Sequence, residues 1–311
     1  MPDITAIGEV LIDLTQFGVN DQGVGLFAAN PGGAPANAAV AAARLGASAA
    51  FVGKVGEDGF GDTLVSVLEK NGVDAAWVGR SSRATTIALV SLSPSGERSF
   101  RFLRGADQDL APEEVPEDLL AQSRFLHFGS VSLTPGLSRS ATLFAARQAR
   151  QLGALVSYDP NYRPALWESE EQALQWMALP LPLVDVLKLS EEELPLLAGT
   201  DRLEEGTALL AERGPRLILV TLGGRGVFYR WREYTGQVPG VSVQVADTNG
   251  AGDSFLGAVL SRLARRRASP LEGLEQAELE DILAFANRAA ALTCSRSGAI
   301  PAMPTLAELE N

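Results

Sequence analysis

The stretch DTNGAGDSF, Asp247 to Phe255, sets an acid beside free backbone donors. A β-branched run, VSVQVADT, leads into a Gly-rich turn; Asp253 follows at once, and an apolar run of helical character, FLGAVLSRL, begins there. That order leaves unpaired N–H groups at a helix N-terminus, where they hold an anion. An anion hole next to a base points to phosphoryl transfer onto a hydroxyl. Asp is also a favoured helix N-cap, so the flanking glycines, not the acid alone, carry the catalytic reading.

A second cluster, NPGGAPANAAVAAARLG, spans Asn30 to Gly46. Gly32 and Gly33 allow a backbone to approach a ligand closely, and the Asn37 amide both donates to and accepts from a hydroxyl. Such groups suit a polyol, although a double glycine before an Ala-rich helix also serves simply to start the helix. No GxxxxGK[ST] loop occurs, and no GxGxxG opens a helix after the first strand. A nucleotide must therefore be held by another device, and a nicotinamide-dependent oxidoreductase is disfavoured.

The rest of the chain bounds these sites. Its 311 residues, 46% hydrophobic, suffice for a large α/β core. The formal net charge is −12. The dense basic run Arg262 to Arg267 reads as a solvated helix end suited to the dipole, so no nucleic-acid partner is expected. A single cysteine, Cys294, allows no internal disulfide and no CxxC zinc knuckle, which fits the cytoplasm. The opening MPDITAIGEVLIDL lacks a basic n-region, and no run reaches about 18 apolar residues, so neither export nor a membrane span is expected. His127, the only histidine, follows a strand-like run and reads as packed, which leaves Ser-His-Asp and Cys-His mechanisms one imidazole to rely on.

Elements alternate along the chain. ITAIGEVLIDL reads as a first strand, ANAAVAAARLG as a helix, AAFVGKVG as a strand and FGDTLVSVLEKNG as a helix. SRFLHFGSV, ALVSYDPN, LVDVLKLS and RLILVTLGG follow as short apolar runs ending in polar residues. Strands apolar on both faces and alternating with helices predict a parallel sheet covered on both sides. Ligands then sit at the strands' carboxyl ends, which makes Asp13, Asp159, Asn161, Ser190, Thr221 and Asp253 site candidates. Residues 84 to 104 break the rhythm as two alternating strands joined by PSGE, a hairpin signal. With the segment after Asp13, this hairpin makes either a lid over a sugar or an ordinary edge. The expectation is one domain over 1–311, an α/β/α sandwich with a mostly parallel sheet and a small β-sheet lid from about 12–30 and 84–105.

GGAPANAAVAAARLG followed by GKVGEDGFG, and DTNGAGDSFLGA farther on, resemble the N- and C-terminal signatures of the ribokinase-like (PfkB) carbohydrate kinases. Within that family the similarity is greatest to fructokinases, through GEVLIDL, NPGGAPANAA, GERSFRF, HFGSVSL, SYDPNYRPALW and KLSEEEL. The resemblance implies an ATP-dependent kinase acting on the 6-hydroxyl of fructose. Kinases of the same family acting on 2-keto-3-deoxygluconate or aminoimidazole riboside are the alternatives. A catalytically silent sugar-binding regulator is a more distant one, at odds with a complete GAGD.

Residue by residue, the resemblance implies Asp253 as base and the amides of Gly250, Ala251 and Gly252 as anion hole. Asp13, Gly32, Gly33 and Asn37 would bind sugar. Arg101 and Arg104 on the lid and Arg163 in DPNYR would cover the sugar or face the phosphates. Lys188, Ser190, Thr221, Gly223, Gly226 and Asn287 would serve ATP. Glu193, in an NxxE-like element with Ser190 in place of Asn, would serve Mg2+ held mostly by waters and phosphates; a solvated acidic helix start explains Glu191 to Glu193 equally well. Asp247, Asn249 and the Ser297 to Ala299 turn would bind a monovalent cation such as K+. FLRGAD, Phe102 to Asp107, is shorter than the FYRNPGAD-type segment of similar chains. Free edges on a lid sheet would favour a homodimer.

Overall fold

The computed structural model describes residues 1–92, 98–267 and 269–310. The PSGE turn, Pro94 to Glu97, lies outside the described residues. The strands in chain order are β1 (Ile4–Ile7), β2 (Leu11–Val19), β3 (Gly25–Gly32), β4 (Ala49–Gly56), β5 (Val73–Asp74), β6 (Val78–Ser81), β7 (Ile87–Leu92), β8 (Arg98–Leu103), β9 (Phe125–Gly129), β10 (Leu155–Asp159), β11 (Val186–Ser190), β12 (Leu217–Thr221), β13 (Val227–Trp231) and β14 (Tyr234–Val238).

Ten of these strands form one sheet in the order β14-β13-β12-β11-β10-β9-β1-β4-β5, with β6 also pairing β4. From β12 across to β5 every pairing is parallel; β13 and β14 close one edge antiparallel. Successive side chains feed opposite faces. Leu126 and Phe128 join one apolar cluster with Ile218 and Val220, whereas Phe125 joins another with Leu217 and Leu219. The Leu137–Gln151 helix covers the first face, and the Ala251–Ala264 and Gln276–Cys294 helices cover the second. Each fully buried Leu, Ile or Phe contributes roughly 1.5–3 kcal/mol, which is why uninterrupted apolar runs became the inner strands. The expected three-layer architecture is the one observed. Among the described residues no helix is long and apolar enough to cross a membrane.

The sequence-based first strand is in fact two strands. The chain leaves the main sheet at Gly8, whose φ of 147° suits glycine and whose added Cβ would sit 2.9 Å from Pro35 Cγ. It then enters a second, four-stranded sheet ordered β3-β2-β7-β8. VLIDL is apolar enough to look like a continuation of ITAI, and periodicity does not reveal the change of sheet. β2 and β3 pair antiparallel and β2 runs parallel to β7, so this lid leaves the core through Glu9 and Val10 and returns at Gly33. The run VSVQVADT is not a strand; its Val241 and Val245 are 41% and 61% exposed, and β-branched composition alone did not find it a pairing partner.

Candidate active site

β1 is flanked by β4 on one side and β9 on the other, so the chain's path reverses there and opens a crevice at the strands' carboxyl ends. Two helices aim their N-termini into it: Ala34–Arg44, which begins where the lid returns, and Ala251–Ala264, which begins after the Gly-rich turn. Gly257 allows these helices to touch, because a Cβ there would lie 2.6 Å from the Ala38 carbonyl oxygen. The close packing brings Asn37 to Asp253.

Asn37 Nδ2 donates to Asp253 Oδ2 at 2.8 Å, both residues being buried. Oδ1 of Asp253 has no partner among the described residues. Burial above all, then the nearby Asp159 carboxylate, pushes Asp253 up to about 6, while Asn37, Lys188 and Arg163 pull the other way. Such a carboxylate is ionised at neutral pH and basic enough to accept a proton. Gly250 takes the left-handed φ of 75° that ends the turn. The Ala251 amide is engaged by the Thr248 carbonyl at 3.3 Å. The amides of Gly250, Gly252 and Asp253 have no acceptor among the described residues, so two of the three amides expected to form an anion hole, Gly250 and Gly252, are free, and Asp253 adds a third. A helix start with three unpaired donors binds an anion.

A cavity of about 710 Å3 lies between lid and core. Asp13, Asn30 and Phe102 line it from the lid; Asn37, Lys188 and Asp253 line it from the core. Asp13 therefore sits in β2, inside the lid, and not at the end of the first strand. Burial pushes Asp13 up to about 6, Arg163 opposes this, Asp253 adds to it, and the nearby Asn249 amide lowers it again. Gly33 lines the cavity, and both glycines are held close to protein: added Cβ atoms at Gly32 and Gly33 would meet Asp13 Oδ2 at 2.3 Å and the Glu9 carbonyl at 2.5 Å. Their role is to let the lid strands meet the core around Asp13.

A second hollow of about 360 Å3 adjoins the first, sharing Asn161, Arg163 and Lys188 with it. Lys188 Nζ pairs with Asp159 Oδ2 at 2.8 Å. Burial alone would lower Lys188, yet Asp159 and Glu193 leave it raised, so the ammonium stays charged between the two hollows. Cations there and an anion hole beside them suit a chain of phosphates.

Other predicted site residues are engaged by the protein itself or lie apart from the two hollows. Arg101 is exposed and outside both hollows. Arg104 is committed to structure, its Nε donating to Asp107 Oδ2 at 2.9 Å and its Nη1 to Thr134 Oγ1 at 2.6 Å. Glu193 accepts the Tyr162 amide at 2.6 Å and the Ser190 amide at 2.8 Å, one on each oxygen, and so pins the Arg163 loop to the end of β11. Burial foremost, then Asp159, raises Glu193. Asp247 likewise accepts the Asn249 and Gly298 amides at 3.1 and 3.2 Å. Among the described residues no group of three or more His, Cys, Asp or Glu is arranged to hold a metal. Thr221, Gly223, Gly226 and Asn287 stand outside both hollows. Gly226 is needed because a Cβ would lie 2.1 Å from the Val238 carbonyl, and Asn287 Nδ2 donates to the Val238 and Pro239 carbonyls at 3.2 and 2.9 Å. Gly223 is open, with nothing within 4 Å of an added Cβ.

Glu9, which sequence reading passed over, is 2% exposed and lines the main cavity. The signal was a lone acid inside the apolar run AIGEVLI. His127 is buried beside Ser157 and is pushed by burial to about 4, so it is neutral and packed, as its strand setting indicated.

A parallel α/β/α core, a β-sheet lid and an acid beside a helix-start anion hole define a class, the lidded phosphotransferases that work without a P-loop. Residues 1–306 match the description pfkB family carbohydrate kinase, and the chain belongs to that family. It is 43% identical over 314 residues to probable fructokinase-4 of Arabidopsis thaliana, covering 99% of this chain and 95% of that one. A fructokinase from Xylella fastidiosa with bound ATP superposes with a TM-score of 0.92 at 35% identity, over 100% of this chain and 98% of the other. A double mutant of the fructokinase from Vibrio cholerae O395, with fructose, ADP and a potassium ion bound, gives 0.88 at 35% identity, over 99% and 96%.

Proposed function

We propose that this chain transfers the γ-phosphoryl group of ATP to the 6-hydroxyl of D-fructose, yielding D-fructose 6-phosphate and ADP. The observation that carries the reading is Asp253 itself, an acid buried at a helix start with one oxygen held by Asn37 and the other open to a cavity that also contains Asp13. Full-length similarity to fructokinases supports the choice of sugar.

Asp13 and Asn37 would hold the polyol, a carboxylate and an amide being suited to adjacent hydroxyls. Asp253 Oδ1 would take the proton from the 6-hydroxyl as that oxygen attacks phosphorus. The bond to the β-phosphate oxygen breaks in line, and ADP leaves. The amides of Gly250, Gly252 and Asp253 would carry charge on the equatorial oxygens, with Lys188 and Arg163 holding the phosphates. A divalent ion, which we assign as Mg2+, supplies charge neutralisation at the phosphates. The residues present fit an ion held through phosphate and water, with Glu193 fixing the nearby loop and not ligating it. The Asp247–Gly298 turn fits K+ held by backbone carbonyls.

Exposed Phe17, Val19, Phe27 and Leu103 on the lid, with free edges at β3 and β8, support a homodimer formed through the lids. The single free Cys294 supports a reducing compartment, the cytoplasm. Coupled-assay turnover of fructose, 2-keto-3-deoxygluconate and aminoimidazole riboside with ATP tests the sugar. Fructose should lead in kcat/KM by about tenfold or more; a lead for either other substrate overturns the assignment.

A further inference from the structure

Glu9 takes no part in the phosphoryl transfer step. Its side chain sits where the chain passes from β1 into the lid, 2% exposed, and lines the cavity. Oε1 accepts the Ala34 amide at 3.2 Å, at the start of the helix that carries Asn37. Oε2 is buried with no partner among the described residues, and Asn37 Oδ1 is in the same condition. A buried polar atom left unpaired is costly.

The neighbouring charges offer Oε2 no partner. Arg104 acts on Glu9 only through space, since its guanidinium bonds Asp107 and Thr134. Burial pushes Glu9 up to about 8, against the pull of the Glu9 and Ala34 amides and Arg104. With Oε1 accepting from Ala34, a proton on the neutral acid sits on Oε2, which must then donate; in the ionised form Oε2 must accept. A hydroxyl serves both, because it is donor and acceptor at once.

Building on the sugar kinase reading, we propose that Glu9 is a specificity-determining residue whose Oε2 pairs with one hydroxyl of the acceptor sugar, alongside Asp13 and Asn37. Gln at this position keeps the size and the acceptor for Ala34 but offers only an NH2 donor in place of Oε2.

The test is steady-state kinetics of wild type and Glu9→Gln on fructose and its monodeoxy analogues. At pH 9, where Glu9 is ionised and Oε2 accepts from that hydroxyl, the variant should raise KM for fructose about 5- to 20-fold while kcat and KM for ATP move less than about twofold. For one monodeoxy sugar the penalty of the variant should vanish, which names the hydroxyl. An equal penalty on every analogue means that Glu9 only caps the Ala34–Arg44 helix, and this overturns the proposal, as does no penalty at all. If Glu9→Gln does not fold, Glu9→Asp, which withdraws the carboxyl, must show the same pattern. A wild type that ignores fructose but phosphorylates another sugar refutes the fructose reading alone; the comparison is then made with deoxy forms of that sugar.

Discussion

Asn37 Nδ2 and Asp253 Oδ2 meet at 2.8 Å although 216 positions separate them in sequence. The bond exists because Gly257 lets its helix rest on Ala38 and Ala41 of the helix that carries Asn37. Two signatures distant in sequence thus become one site through a helix contact only a glycine permits.

Gly257→Ala should therefore act at a distance. The new methyl would meet the Ala38 carbonyl at 2.6 Å, backbone that cannot swing aside. The helices must part by a few tenths of an ångström, and kcat should fall about 10- to 100-fold with a lower Tm. Unchanged kcat with a lower Tm would show that the Asn37–Asp253 bond does not depend on this packing.

Asp253→Asn removes the base and keeps the shape, and an amide can still face Asn37. We expect kcat to fall about 100- to 10,000-fold with sugar affinity by calorimetry changed less than about fivefold. Near wild-type turnover would remove Asp253 from the chemistry.

The pH profile carries a sharper signature. Asp13 and Asp253 are both pushed to about 6, burial being the main cause in each, and Asp253 raises Asp13 further. Both must be ionised, one to accept sugar hydroxyls and one to take the proton. The acid limb of log kcat/KM should bend near pH 6 and approach a slope of about 2. Asp13→Asn should reduce that slope to about 1. Asn37→Ala removes a donor that lowers Asp253, so its limb should move to higher pH; movement to lower pH contradicts the role given to Asn37.

Much of this site was legible in the sequence because glycine at a forced conformation leaves a strong trace. GAGD announced a helix start with unpaired amides, and Gly250 has the positive φ that the turn needs. The lid was legible as alternating strands. Less legible were features in which composition does not fix the partner. VLIDL is as apolar as ITAI, so the change of sheet at Gly8 was hidden. Arg104 looked free to cover a sugar, yet Asp107, three residues on, takes it. Glu193 has the chemistry of a metal ligand, and the sequence does not show the two backbone amides that the folded loop brings to its oxygens. Gly226 and Asn287 serve the Val238–Pro239 turn for the same reason.

Metal removal should separate catalysis from structure. With no cluster of three or more acidic, His or Cys groups arranged for a cation among the described residues, EDTA should abolish turnover but shift Tm by less than about 1 °C, since no folding energy is linked to the ion. Mg2+ titrated calorimetrically without nucleotide should give no measurable heat, and with ATP present it should bind. A large drop in Tm on chelation would mean a structural metal site.

Glu9 gives the protein an unusual pH dependence of stability between about pH 6.5 and 8.5. Its folded value, about 8, lies above the unfolded value of 4.5 because burial disfavours the charge. In that window the unfolded chain holds no proton on this group and the native protein still does, so stability falls as pH rises. Asp13 and Asp253, at about 6, are half ionised at pH 6 and largely ionised by about pH 7, His127 contributes chiefly below 6.5, and Cys294, raised by burial above 9.0, contributes later. Glu193 and Asp185, also raised by burial, are common to wild type and Glu9→Gln, so the share belonging to Glu9, on the order of 1–2 kcal/mol across the window, is the difference between the two proteins. At about 1.5 °C per kcal/mol for a chain of 311 residues, the Glu9 share of the drop in wild-type Tm from pH 6.5 to 8.5 should be about 1.5–3 °C. Glu9→Gln should start from a different Tm and fall less over the same range. Parallel curves for the two proteins would show that Glu9 is ionised throughout and that its burial is compensated by a donor from the protein.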